Sequence, residues 1–165
     1  MARRAKKLSD RRQVDPAVVI AALGDHEVDY IVIGGFAAIV HGARRLTHDL
    51  DIIIDRRLAN CRRLIATLAA LGAEHRVSSG RWAKLSANAD PKWIAAENRF
   101  FDTTAGGVDV WNRMRGVPSW KEARPRAIEA EAFGHTVPVL DKDSLIASKL
   151  AAGRDKDLGD VADLG

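Results

Sequence analysis

Asp49 and Asp51 stand two residues apart at the head of an apolar, β-branched run, and Asp109 lies between Val108 and Val110 in a second such run. On a strand, residues i and i+2 point to the same face. Asp49 and Asp51 therefore present two carboxylates side by side, while Leu50 and Ile52 point into a core. Like charges this close repel, and a shared cation removes the cost. Hard oxygen donors favour Mg²⁺, which takes one or two protein carboxylates and completes its shell with phosphate oxygens and water. The competing reading is a solvent-facing edge strand whose two acids bind nothing. Aspartates along one face of a β-branched run are poor strand formers without compensation, and that favours the cation. If the strand of Asp109 pairs beside that of Asp49, three carboxylates converge. Three can hold two ions about 3.5–4 Å apart, the arrangement used for in-line displacement at phosphorus. Asp109 is then the candidate base toward an acceptor hydroxyl. Asp102 is the rival for that role, with less regular strand flanks.

Such chemistry needs a seat for phosphates. At Gly34-Gly35 an apolar run meets two glycines and then a helical segment. Glycines let backbone N–H groups approach an anion, and a helix N-terminus favours negative charge. A bare Gly-Gly is also an ordinary tight strand–helix turn. The pattern is neither a Walker loop nor a dinucleotide fingerprint. Lys149 falls between Leu145 and Ile146 within the apolar stripe of a helical segment, where a lysine either snorkels or reaches for an anion. Arg45 and Arg154 are further phosphate candidates. His26, His41, His48, His75 and His135 are scattered without a metal-binding spacing. The four tryptophans read as core more readily than as base-stacking platforms. Cys61 is the only cysteine, so no internal disulfide or cysteine-based zinc site can form, and a reducing cytoplasm is the expected compartment.

The elements that must position these groups can be read from periodicity. Asp15-Pro16 reads as a cap followed by proline at the first helical position, opening a short helix to about residue 24. Residues 30–33 read as a buried strand, 36–41 as a helix closed by Gly42, and 50–54 as a second strand. Leu58, Cys61, Leu64, Ile65, Leu68 and Leu71 form one helical stripe, with Arg62 and Arg63 off it. Residues 74–91 read as loop with some strand character. Residues 99–103 and 108–111 read as two strands turning at Gly106-Gly107, and 128–139 as a hairpin turning at Gly134. A capped helix over 141–150 and a last helix over 155–164 complete the chain. This order predicts an α+β, mixed α/β architecture with helices over a partly antiparallel sheet.

The chain has 165 residues, 47% of them hydrophobic and 29% charged, with net charge +4. That length fits one domain, and no apolar run approaches the ~20 residues of a membrane span. The excess positive charge is concentrated at the start: Arg3, Arg4, Lys6, Lys7, Arg11 and Arg12 face Asp10 alone. The expectation is a basic flexible arm over residues 1–14 and one domain over 15–165. The arm reads either as solvated charge or, with Arg44, Arg62 and Arg63, as a grip on RNA phosphates.

Taken together, the run from Gly34-Gly35 through Gly42-Ala43-Arg44-Arg45-Leu46-Thr47-His48 to Asp49-Leu50-Asp51, with Val108-Asp109-Val110 later, resembles the signature of the polymerase-beta-like nucleotidyltransferase superfamily. Residues 42–51 and the C-terminal run 148–160 are similar to the AbiEii and MenT-type toxins of bacterial toxin–antitoxin systems. The resemblance spans most of residues 28–163 and is weakest over 74–98. It implies the nucleotidyltransferase fold, a small mixed sheet with helices packed on it. It implies an ATP- or other nucleoside-triphosphate-binding enzyme that uses Mg²⁺, with two ions held by Asp49, Asp51 and Asp109. Lys149, Gly34, Gly35, Arg45 and Arg154 would then serve the phosphates. It further implies transfer to the 3′ end of tRNA, arrest of translation, a cognate antitoxin and no membrane partner. Thr47 holds the place phosphorylated by the antitoxin in such toxins, and a phosphate there would compete for the metals. The chain is short beside AbiEii proteins and lacks a large C-terminal helical region. Transfer to a protein or a small molecule, or nucleotide binding without catalysis, are the alternatives.

Overall fold

The computed structural model describes residues 5–165. Helix α1 (Pro16–Asp25) starts with Pro16 behind Asp15 as expected, but the Asp15 side chain makes no capping hydrogen bond among the described residues. Strand β1 (Tyr30–Ile33) is buried along its whole length and runs directly into α2 (Gly34–Val40). The two glycines thus belong to the helix, and Gly34 takes φ +68° at the junction. Strand β2 (Asp49–Ile54) is followed by α3 (Leu58–Ala70), whose stripe of Cys61, Leu64, Ile65 and Leu68 is buried. Strands β5 (Arg99–Thr103) and β6 (Gly106–Trp111) form the next hairpin. The short α5 (Trp120–Ala123) leads to the hairpin of β7 (Ile128–Ala132) and β8 (His135–Val139). Helices α6 (Lys142–Ala152) and α7 (Asp155–Leu164) close the chain, with Gly153 between them in the left-handed conformation that favours glycine.

Residues 74–98 hold more structure than their sequence suggests. Strands β3 (Glu74–Arg76) and β4 (Trp82–Lys84) and helix α4 (Pro91–Ala96) lie here. The Asp90 side chain accepts from the Lys92 N–H at 2.9 Å and caps α4. The three elements are too short for periodicity to register. Contacts distant in sequence hold them: Trp93 packs its ring on His75 at 4.8 Å and on Phe101 at 6.3 Å. The β5–β6 turn also differs from expectation. It falls at Thr104-Ala105, and Gly106 and Gly107 are both strand residues.

The eight strands form one mixed sheet in the order β4-β3-β5-β6-β2-β1-β8-β7. The β2–β6 and β1–β8 pairs are parallel; the others are antiparallel. The β2–β6 register decides the chemistry, because it places Asp51 opposite Asp109 and Asp49 opposite Gly107. With a side-chain period of two, Leu50, Ile52, Val108 and Val110 then share the other face. All four are fully buried there. A one-residue slip would drive the acids into the core, so hydrophobic burial itself fixes the carboxylates on the open face. Among the described residues, no helix is long and apolar enough to cross a membrane.

Candidate active site

Asp49, Asp51 and Asp109 each offer an oxygen within 4.8 Å of the others'. They line a cleft of about 300 Å³ together with Gly34, Gly35, Arg45, Thr47, Lys149 and Arg154. Asp102 lies outside this group. It is buried on β5 and paired with Lys6 Nζ at 2.5 Å. Of the two acids weighed for the proton-accepting role, only Asp109 stands with Asp49 and Asp51.

The three carboxylates are electrostatically uncomfortable together. Burial first, then the charges of Asp109 and Asp49, push the Asp51 carboxyl well above the usual carboxylate range. The Trp111 indole works against this by donating Nε1–H to Asp51 Oδ1 at 2.9 Å. Burial also pushes Asp109 up, with Arg11 pulling the other way. Trp111 is two residues beyond Asp109 and shares its face, so the same period that aligns the acids delivers the indole.

A cation already stands in this cluster. Arg11, 4% exposed, donates from Nη2 to Asp49 at 3.0 Å and to Asp109 Oδ2 at 3.2 Å, and from Nη1 to Asp109 Oδ1. Its Nη1 also reaches the Phe101 carbonyl at 3.0 Å, and its Nε the Leu8 carbonyl at 3.1 Å. This corrects two expectations for the arm. Arg11 is buried among carboxylates and cannot grip RNA from there, and residues 5–14 are not a solvated tail. They cross the sheet as a strap, with Val14 buried. Lys6 pairs with Asp102 and with Glu74 at 3.2 Å. The Arg12 N–H donates to Asp102 at 3.2 Å. Lys7 is exposed. Arg3 and Arg4 lie outside the described residues. Arg44 is exposed beside α7, its N–H donating to Asp163 at 2.8 Å. Neither Arg62 nor Arg63 lines the cleft.

The opposite wall is cationic and internally paired. Lys149 Nζ lies 2.7 Å from Asp160 and 3.5 Å from Asp157. Arg45 Nε is 2.8 Å from Asp160, and Arg154 Nε is 2.6 Å from Asp157. Asp157 and Asp160 are buried, so their charges are compensated by these three cations. Arg45 Nε against Asp160 Oδ1 and Lys149 Nζ against Asp160 Oδ2 approach as charges rather than as aligned hydrogen bonds, since Arg45 Nε and Asp160 Oδ2 make none among the described residues. Three cations against two buried acids leave this wall net positive. Two glycines open the way to it: a Cβ on Gly35 would lie 2.5 Å from Arg45 Nη2 and 2.7 Å from Thr47 Oγ1, and one on Gly34 would strike the Asp51 carboxylate. Thr47 donates its hydroxyl to the Asp49 carbonyl at 3.0 Å. Leu150 of α6 is more than half exposed.

A second cleft of about 420 Å³ adjoins the first and shares Trp111, Met114 and Val117 with it. Arg56, Arg113 and Arg115 also line it. Trp120 Nε1 and Asn112 Oδ1, on two of its lining residues, have no hydrogen-bond partner among the described residues.

Sequence reasoning set Arg11 in an RNA-gripping arm, read Trp111 as core and left His48, which also lines the cleft, among scattered histidines; it gave no role to Asp157 and Asp160. Asp157 and Asp160 had a readable signal, being three apart on a helix and so on one face. Gly106-Gly107 inside a strand was a signal too, since glycine there marks a close backbone approach.

No family model matches this chain, and no curated protein matches it. Among solved structures, the lincosamide antibiotic adenylyltransferase LnuA in its lincomycin-bound form aligns over 93% of this chain and 98% of its own, with TM-score 0.61 and 16% identity. An antigenic nucleotidyltransferase-like protein from Paracoccidioides brasiliensis aligns over 93% of this chain and 76% of its own, with TM-score 0.55 and 14% identity. The architecture is the α+β nucleotidyltransferase fold.

Proposed function

We propose that this chain is a Mg²⁺-dependent nucleotidyltransferase that moves a nucleoside monophosphate from a nucleoside triphosphate to an acceptor hydroxyl. One observation carries the reading: three carboxylates and a net positive wall face each other across a single cleft. The donor set fits a hard divalent cation. It is all oxygen, the like charges are unrelieved within it, and a guanidinium already stands between two of its members. Asp49, Asp51 and Asp109 would hold such an ion, which when bound supplies charge stabilisation to a transferring phosphoryl group.

The chain's own residues account for the remaining requirements. Lys149, Arg154 and Arg45 hold the triphosphate against the positive wall, and Asp157 and Asp160 keep them in place. Gly34 and Gly35 leave the tail room to approach. Trp111 fixes the orientation of Asp51. Asp109, its affinity for protons raised by burial, accepts the acceptor's hydroxyl proton. The acceptor oxygen forms the new bond to the α-phosphorus, the bond from that phosphorus to the bridging oxygen breaks, and pyrophosphate leaves with that electron pair.

For the acceptor we propose an RNA 3′ end, that of tRNA, in the adjoining cleft, where Arg56, Arg113 and Arg115 supply positive charge for a phosphate backbone. On this reading the RNA contact lies on the cleft rather than on the strap, whose Lys6, Arg11 and Arg12 are engaged with acids. A toxin role with a cognate antitoxin, and phosphorylation at Thr47 beside the acids, belong to the same reading. A second reading, a small hydroxyl-bearing acceptor, draws on the likeness to an antibiotic adenylyltransferase of nearly the same extent. Incubation with Mg²⁺, each of four α-labelled triphosphates, total RNA and a panel of hydroxyl-bearing small molecules decides. Label on tRNA 3′ ends is expected. Label on small molecules alone selects the second reading, and label on neither overturns the proposal.

A further inference from the structure

The path of residues 8–14 is built into the molecule around it. A Cβ on Gly106 would collide with the backbone of Gln13 and Val14, and one on Gly107 would lie 3.0–3.2 Å from the Arg11 guanidinium. The Gly107 N–H donates to the Arg12 carbonyl at 3.2 Å, and the Val14 N–H to the His48 carbonyl at 2.9 Å. His48 adds a contact of 2.8 Å from Nε2 to the Arg11 carbonyl, and of 2.9 Å from Nδ1 to Gln13 Oε1. The strap is thus clamped between the segment that precedes Asp49 and the segment that precedes Asp109, and it delivers one side chain into the acidic cluster.

We propose that residues 8–14 form an autoinhibitory strap, in which the Arg11 guanidinium occupies the cation seat between Asp49 and Asp109 and must leave before a divalent ion can enter. This rests on reading the three aspartates as a cation site. The Arg11 guanidinium already donates to both Asp109 oxygens and to Asp49 Oδ2, so an ion entering the cluster meets a positive charge at contact range and competes for the same lone pairs. Binding of the ion and docking of Arg11 are therefore negatively coupled. The coupling is reciprocal, so a strap that weakens ion binding is loosened by the ion to the same degree. Arg11 offsets part of the cluster's charge when no ion is bound, which lowers the cost of holding three acids together. Whatever lifts the strap, such as an acceptor or partner competing for Lys6 and Arg12, would license ion entry.

The test measures Mn²⁺ binding by electron paramagnetic resonance on the full-length protein and on Arg11→Met, which keeps the apolar stem and removes the charge. Arg11→Met is expected to bind Mn²⁺ about ten-fold more tightly. In the wild-type chain, saturating Mn²⁺ is expected to speed tryptic cleavage after Arg11, since the undocked strap reaches the protease. Gly107→Ala, whose new methyl crowds the guanidinium without deleting it, should shift Mn²⁺ affinity in the same direction and serves if Arg11→Met does not fold. Equal Mn²⁺ affinity in all three, with cleavage unchanged by Mn²⁺, overturns the strap while leaving the site. Absence of Mn²⁺ binding in the wild type and both variants overturns the strap and the cation site together.

Discussion

The two walls of the cleft solve the problem of buried charge in opposite ways. On the helical wall, Lys149 meets Asp160 and Asp157, and Arg45 and Arg154 complete the set, so positive and negative groups are supplied by neighbouring elements. On the sheet wall, β2 and β6 supply three acids and no base, and the compensating Arg11 comes from a strap 38 residues from Asp49 and 98 from Asp109. Breaking a self-paired wall leaves a buried charge stranded. Thinning a wall of like charges relieves repulsion instead. The helical wall should therefore be a foundation of the fold as well as a phosphate contact, whereas the sheet wall trades stability for a place to hold a cation.

The comparison is broken or sharpened first at Asp51. Asp51→Asn keeps an acceptor for the Trp111 indole and removes one of three like charges. Transfer should fall by about 10³-fold, while the melting temperature holds or rises; a fall in melting temperature would contradict the contrast between the walls. Next, Asp160→Ala removes the nearer of the two acids beside Lys149 and the acid facing Arg45, leaving their charges under-compensated, and should cost about 3 kcal/mol in chemical denaturation. An unchanged denaturation midpoint would show that the helical wall is not the foundation described.

A pH series sharpens the same point. Burial pushes the Asp157 carboxyl up, but Arg154 and Lys149 outweigh it and hold the group below the usual carboxylate value. A depressed folded value contributes stability that is present above the unfolded value of about 3.9 and lost as pH falls through the folded one. Wild type should then exceed Asp157→Asn in stability at neutral pH, and the gap should close below about pH 4. A gap constant from pH 7 to 3 would remove that ion pair from the account. Smallest is Gly35→Ala, whose methyl presses on Arg45 and Thr47. Arg45 can shift, so nucleotide affinity should weaken by only a few-fold, about 1 kcal/mol, as read by equilibrium binding of a nonhydrolysable triphosphate.

Local periodicity makes part of this molecule legible in its sequence. The alternation in β2 and β6 places Leu50, Ile52, Val108 and Val110 in the core and the aspartates opposite, so the convergence follows once the two strands pair. The helical stripe of α3 is legible for the same reason. Arg11 is not, because its partners lie far along the chain and a basic run near a terminus looks like solvated charge. The glycines at 106 and 107 look like a turn when read with their neighbours alone; their purpose shows only when the strap lies across them. Strands β3 and β4, three residues each, carry no period, and α4 is held by the edge-to-face contacts of Trp93 rather than by its own pattern.

Two indoles stand at the acidic cluster and at the strap. Trp111 donates to Asp51, and Trp82 donates to the Lys6 carbonyl at 2.9 Å while the Lys6 ammonium sits 4.8 Å above its ring. Each ring senses a different event through its own fluorescence: a charge arriving beside Asp51 shifts the emission of the first, and departure of the N-terminal segment exposes the second to solvent quenchers. Single-tryptophan versions of this chain can therefore time the two events separately and show their order.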